Sequence, residues 1–126
     1  EKEKQCEADG IALKTNITVT HTGRISKAHL CSIFSNLTDN AAHECETLPP
    51  NKERIITLNA AQKNGFISVI CENPVKDGRD RVLKPSDSSG YGMKILRDIA
   101  KEYDGRYSCE IKGGVCTSKI TINIHK

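Results

Sequence analysis

The side chains able to do chemistry in this 126-residue chain are six cysteines, four histidines and scattered carboxylates. A cysteine works as a nucleophile or metal ligand only as its thiolate, so it needs a neighbouring base or further ligands. His43 and Cys45 stand two apart and would share one face of a strand, so a Cys–His pair can be drawn. The simpler reading of that pair is a half-exposed histidine beside a disulfide. No two cysteines are spaced CxxC, and His21, His29, His43 and His125 show neither HxH nor HExxH spacing, which argues against a metal site. Gly90-Tyr91-Gly92 lacks the following glycine of a dinucleotide loop, and no Lys-Ser/Thr follows a glycine-rich loop, so no phosphate cradle is expected. Asp77, Asp80, Asp87 and Asp98 do not follow calcium-loop spacing. The expectation is a chain that is not an enzyme, with no catalytic residue, metal, cofactor or small-molecule substrate.

The cysteines carry a different message. Cys6, Cys31, Cys45, Cys71, Cys109 and Cys116 are even in number, and disulfides in an oxidising compartment are the reading favoured for them. Two sequons, at Asn16 and Asn36, agree with an extracellular, glycosylated protein, at the cell surface or secreted. The chain does not begin with Met and opens on Glu1-Lys2-Glu3-Lys4 with no apolar run, so it reads as a mature chain or an excised ectodomain. It contains no stretch of about eighteen apolar residues, and any membrane attachment would come through a segment outside it. The net charge is +3 with Lys and Arg scattered, and aromatics make up 4%. Neither a phosphate-tracking patch nor a base-stacking surface is present, so nucleic acid is not expected as a partner.

The elements that would position these residues read as β. Residues 17–20 are β-branched and precede a turn at Thr22-Gly23; residues 25–34 alternate with period two; residues 54–58, 66–71 and 118–124 are further strand runs. Asn64-Gly65 is a strong hairpin signal, and Gly113-Gly114 is another turn. Residues 93–103 are ambiguous. Met93, Leu96, Ile99, Ala100 and Tyr103 fit one face of a helix, which would make the fold α+β; the alternative is a strand running into a turn, which the residues that follow favour. Many short strands at regular spacing imply an all-β sandwich or barrel in one domain.

Gly105-Arg106-Tyr107-Ser108-Cys109, with Asp104 before it, reads G-x-Y-x-C. It resembles the tyrosine corner of immunoglobulin domains, in which the tyrosine two residues before a core cysteine hydrogen-bonds back to the chain. Cys31 follows Gly23 by eight residues, and Cys109 follows Cys31 by seventy-eight, a spacing similar to that of variable-type (V-set) domains. The resemblance covers roughly residues 15–124 and implies an immunoglobulin-like β-sandwich of about eight to nine strands with extra disulfides, preceded by an N-terminal arm, residues 1–14. It departs from the family in lacking the strand C tryptophan, near whose place Cys45 stands. A second alignment would put two strands at residues 55–60 and 66–71 and leave residues 1–50 as a separate extension. The resemblance implies a Cys31–Cys109 bridge between the sheets, with Cys6–Cys116 and Cys45–Cys71 as accessory bridges.

What the resemblance implies about function is a binding module: the V-like domain of a cell-surface receptor of the immune, adhesion or allorecognition type. It would bind another protein, and the same domain on an opposing cell is one such partner. The binding face would comprise Glu46, Arg54, Thr57, Arg106, Ser108, Glu110 and Lys112, whose mixed charges permit homophilic pairing. The alternative is a secreted disulfide-rich decoy receptor or cytokine-binding inhibitor.

Overall fold

A computed structural model describes residues 10–19, 23–46, 48–49, 52–76, 79–83 and 91–124. Among them lie β1 (Ala12–Thr18), α1 (Lys27–Glu46), β2 (Ile55–Lys63), β3 (Phe66–Pro74), β4 (Arg81–Val82), α2 (Tyr91–Glu102), β5 (Arg106–Lys112) and β6 (Val115–Asn123). The strands form one six-stranded sheet in the order β1-β2-β3-β6-β5-β4. β1 pairs parallel to β2, with α1 as the crossover between them; every other pairing is antiparallel. Both helices pack on the same face of this sheet. The expected all-β immunoglobulin sandwich is therefore overturned: there is a single mixed sheet, and a helical layer stands where a second sheet would be.

The largest correction concerns residues 25–34, expected as a strand. They enter α1. Ser26 caps the helix, its hydroxyl accepting from the His29 backbone N–H at 3.1 Å. Ile33, Leu37, Ala41 and Cys45 then recur every four residues and are buried. That spacing extends the apolar face for several turns, whereas the period-two pattern stops after Phe34. Residues 93–103 likewise take the helical alternative. Leu96, Ile99, Ala100 and Tyr103 are buried in the same core as the α1 stripe.

The two hairpins form where the glycine turns stand. Asn64 and Gly65 have φ of 51° and 80°, a primed turn that joins Lys63 to Phe66 across β2 and β3. Gly113-Gly114 does the same for β5 and β6. Register then decides which side chains meet the helices. Ile56, Leu58 and Ala60 of β2, Ile67 and Val69 of β3, and Ile120 and Ile122 of β6 face inward and are buried.

Asp104 and Gly105, expected to belong to a tyrosine corner, close α2 instead. The Asp104 N–H donates to the Lys101 carbonyl at 3.3 Å and the Gly105 N–H to the Ala100 carbonyl at 2.7 Å, the paired bonds of a Schellman stop. Asp104 has φ 52° and accepts from Arg24 at 2.9 Å. Gly105 has no room for a side chain: a Cβ there would lie 1.7 Å from the Thr121 carbonyl oxygen of β6. A latch ties this end of α2 to the start of α1. The Tyr103 hydroxyl accepts from the Ser26 backbone N–H at 3.3 Å and lies 2.5 Å from His29 Nδ1, and the Arg24 guanidinium sits over the Tyr103 ring at 5.5 Å.

Candidate functional site

The inner face of the sheet changes character along its strands. Towards the Asn64-Gly65 turn its cross-strand rows are aliphatic: Ala60–Val69–Ile120 continues to Tyr107, and Ile67 faces Ile122. Towards the Gly113-Gly114 turn the rows carry small, polarisable or polar side chains. One row runs Leu58–Cys71–Ser118–Cys109, and the next places Cys116 between Asn73 and Ile111. Cysteine and serine occupy less space than isoleucine, so the sheet presents a shallower, more polar floor at this end.

Met93, Cys109, Ile111 and Cys116 form a second buried cluster here, separate from the main core, with Val75, Leu83 and Tyr107 packed against it. Asn73 is one of few buried polar residues, at 4% exposure, and its amide donates to the Pro74 carbonyl at 3.0 Å. Met93 brings the first turns of α2 to this end. Backbone bonds tie the connecting segment to the sheet: the Val75 N–H to the Gly114 carbonyl at 3.0 Å, and the Leu83 N–H to the Cys109 carbonyl at 2.8 Å. The Gly113 N–H also donates to the Asp80 carboxylate at 3.0 Å.

The later turns of α1 bound the other side. The Cys71 thiol points at the Leu37 carbonyl at 3.7 Å, and Thr38 donates back to Phe34 at 2.6 Å. Asn36, Asn40 and Glu44 follow at four-residue spacing, a polar stripe beside the buried one. The Asn36 amide donates to the Ser32 carbonyl and hydroxyl, at 2.7 and 3.1 Å, so its oxygen is turned away from the helix backbone. The Glu44 carboxylate acts through space on both Cys109 and Cys116, opposing their ionisation.

The thiols in the floor are not equivalent. Cys109 Sγ lies 3.5 Å from Cys116 Sγ and 3.3 Å from the Ser118 hydroxyl. The hydrogen bond from Cys116 pulls the Cys109 thiol down to about 7 against the opposing effect of burial, and Ser118 assists. Cys116 is pushed far up, first because it is the donor to Cys109 and then by burial. Burial raises Tyr107 above the ordinary phenol range, and the nearby Cys109 charge adds to it. The Tyr107 hydroxyl lies beside Cys109 and Ser118 but makes no hydrogen bond of good geometry among the described residues.

No curated protein matches this chain by sequence. The model of the GHKL domain matches residues 25–123, from the approach to α1 through the end of β6. This chain belongs to the GHKL ATPase domain family. Solved structures agree on the GHKL fold. The catalytic domain of histidine kinase ThkA, in a nucleotide-free form, superposes with a TM-score of 0.71 at 16% identity, over 96% of this chain and 83% of that one. The Acinetobacter baumannii histidine kinase AdeS gives 0.67 at 15% identity, over 99% and 62%. Full-length ShkA in complex with AMPPNP gives 0.64 at 14% identity, over 96% and 27%. The chain thus spans less than two thirds of AdeS and about a quarter of ShkA.

The GHKL assignment overturns the functional expectations with the fold. A receptor or decoy module that is no enzyme, binds no small molecule and pairs with its own kind is replaced by a domain of an ATPase family. The adhesion, immune and glycoprotein descriptions fall with it. The resemblance matched most closely in the five residues 105–109, and those residues have other work in this chain: a helix stop, a close strand approach and part of the cluster.

The sequence-derived site residues are dispersed. Cys31 is exposed on α1 while Cys109 is buried on β5, and no disulfide engages Cys31, Cys45, Cys71, Cys109 or Cys116. Cys109 meets Cys116, not Cys31. Cys6 lies outside the described residues. Asn16 stands on β1 at the sheet edge, and Asn36 is on α1 with its amide engaged by Ser32. Arg106, Ser108, Glu110 and Lys112 share the outer face of β5, whereas Thr57 is on β2, three strands away, Glu46 ends α1, and Arg54 donates to the Leu48 carbonyl at 3.1 Å. Asn73, Asn40, Glu44 and Met93 were missed. Their signal was present: Asn36, Asn40 and Glu44 at helical spacing, and Gly90-Tyr91-Gly92 directly before an amphipathic segment.

Proposed function

We propose that this chain is an ATP-binding catalytic domain of the histidine-kinase type, holding the nucleotide over the small-residue end of the sheet between α1 and α2. The observation that carries the reading is the GHKL family match across both helices and the strands beneath them. The AMPPNP complex of ShkA, a structure with the same fold, supports ATP as the ligand. So does the change in the sheet. A planar purine needs a flat apolar surface with a few fixed polar groups. Ile111, Cys109, Cys116 and Met93 supply the surface, and buried Asn73 supplies an amide within it.

The polar stripe of α1 would face the sugar and phosphates. Phosphoryl transfer would call for a magnesium ion, which would neutralise charge developing on the phosphates. Among the described residues, no group of three His, Cys, Asp or Glu side chains could hold a metal by itself. A magnesium ion that enters with a nucleotide needs only one or two protein oxygens. Asn36, Asn40 and Glu44 are the side chains placed to contribute them. In this reading the domain positions the terminal phosphate, and a histidine from another domain or protein receives it.

Isothermal titration with magnesium and AMPPNP tests the reading. One saturable site, displaced by ADP and weakened at least tenfold by Asn40→Ala without loss of fold by circular dichroism, is the expected result. No heat and no displacement at about 1 mM nucleotide, the level of −4.1 kcal/mol binding, would sink it.

A further inference from the structure

The proposed function uses Cys109 and Cys116 only as apolar surface, which leaves their thiol chemistry unused, and they face each other in the floor. They lie diagonally across the β5–β6 ladder, because Cys109 pairs with Ser118 and Cys116 with Ile111. Their sulfurs are 3.5 Å apart, both residues are about 95% buried, and no bond joins them. Diagonal positions in a flat ladder hold their Cβ atoms well apart, up to about 7–8 Å, whereas a disulfide needs about 3.5–4.5 Å. Joining the sulfurs therefore requires β5 to slide and tilt against β6, with the Gly113-Gly114 turn as the compliant link.

We propose that Cys109 and Cys116 are a redox-sensitive dithiol, which a peroxide converts to a disulfide that deforms the nucleotide floor and weakens nucleotide binding. The nucleotide half of this proposal rests on the function proposed above; the formation of the disulfide does not. The Cys109 thiolate attacks one peroxide oxygen, the O–O bond breaks, and the leaving oxygen takes a proton as water or alcohol. The sulfenic acid so formed is attacked by Cys116, whose proton leaves with the hydroxyl as water. Two thiols lose two electrons and two protons, and the peroxide bond takes up both. The site favours this order, since Cys109 is the thiol that ionises readily and Cys116 is the donor beside it.

The deformation reaches the ligand through register. Cys116 is flanked by Ile111 on one side and Asn73 on the other, so pulling it towards Cys109 moves the row that carries the buried amide. Strain of this kind leaves a disulfide easily reduced, as a reversible switch requires. Linkage also works in reverse: bound nucleotide disfavours the disulfide at equilibrium, and by covering the floor it keeps peroxide from the thiols.

Trypsin reads the outcome directly, because Lys112 and Lys119 place the two cysteines on separate peptides, residues 107–112 and 113–119. The full chain is treated with hydrogen peroxide, alkylated, digested and weighed. The expected product is these two peptides joined with the loss of two hydrogens, formed more slowly with AMPPNP present. Oxidised protein should bind AMPPNP at least tenfold more weakly, and dithiothreitol should restore binding. In Cys116→Ser neither the joined peptide nor any effect of peroxide on affinity should appear. Over-oxidation of Cys109 to a sulfinic acid, or joining only to Cys31, overturns the dithiol. A joined peptide with unchanged affinity overturns the switch. Reduced protein that never binds AMPPNP, yet yields the joined peptide, overturns the nucleotide reading and the switch while confirming the dithiol.

Discussion

Replacing Gly105 by alanine tests how α2 is set against the sheet. The new Cβ would sit 1.7 Å from the Thr121 carbonyl oxygen and 2.7 Å from its carbon, both backbone atoms that cannot rotate away. Ordinary contact begins at 3.4 Å, so the two chains must part by about 1.7 Å. Thr121 is held on both sides, opposite Ser68 of β3 and Arg106 of β5, so β6 cannot yield alone. Overpacking of this kind costs about 1–3 kcal/mol. Separation also threatens the Gly105 N–H to Ala100 bond at 2.7 Å and the Asn123 N–H to Tyr103 bond at 3.0 Å. Each is worth about 1 kcal/mol net. The total is about 3–5 kcal/mol, out of about 5–15 kcal/mol for a domain of ordinary stability. At about 3–5 °C per kcal/mol for this size, the melting temperature should fall by about 9–25 °C. Thermal melts followed by circular dichroism read it, with Gly113→Asn as control. That position has φ 60°, which asparagine tolerates, and open space around it, so it should melt within about 3 °C of the parent. A Gly105→Ala protein melting that close to the parent would refute the close approach.

Tyr107→Phe should leave the domain as stable as the parent or up to about 1 kcal/mol more stable, since its hydroxyl is buried without a good partner. A urea midpoint showing a loss above about 1 kcal/mol would mean the hydroxyl is bonded after all. Tyr103→Phe keeps the ring but loses the contacts to Ser26 and His29, and should cost about 1–2 kcal/mol in the same assay. The rate of peroxide oxidation should rise about tenfold between pH 6 and pH 8 and then level off, because Cys109 ionises at about 7. An ordinary thiol at 9.0 would climb by nearly a hundredfold over the same interval without levelling.

The turns were legible in the sequence because their chemistry is local. Asn64-Gly65 and Gly113-Gly114 need positive φ whatever surrounds them, and the strands beside them follow. The helices were harder to see. In residues 25–34 the alternation of Ile25, Lys27, His29, Cys31 and Ile33 against Ala28, Leu30 and Phe34 fits a strand as well as a helix, and only Leu37, Ala41 and Cys45 further on separate the two periods. Cysteine misled most. Six cysteines in even number suggest cross-links, whereas Cys71, Cys109 and Cys116 are short buried side chains on the inner face of the sheet. Asn73, Cys116 and Ile111 come from three strands out of chain order, so no spacing along the chain could have joined them.

The bonds from Val75 to Gly114, from Leu83 to Cys109 and from Gly113 to Asp80 stitch the connecting segment to one hairpin. Their hydrogens therefore share a fate in exchange with solvent: the amides of Val75, Leu83 and Gly113 open together when the β5–β6 hairpin opens, as one cooperative unit. Deuterium uptake at these three positions, corrected for each amide's intrinsic rate, should show a common protection, and a ligand that steadies the hairpin should slow all three by the same factor.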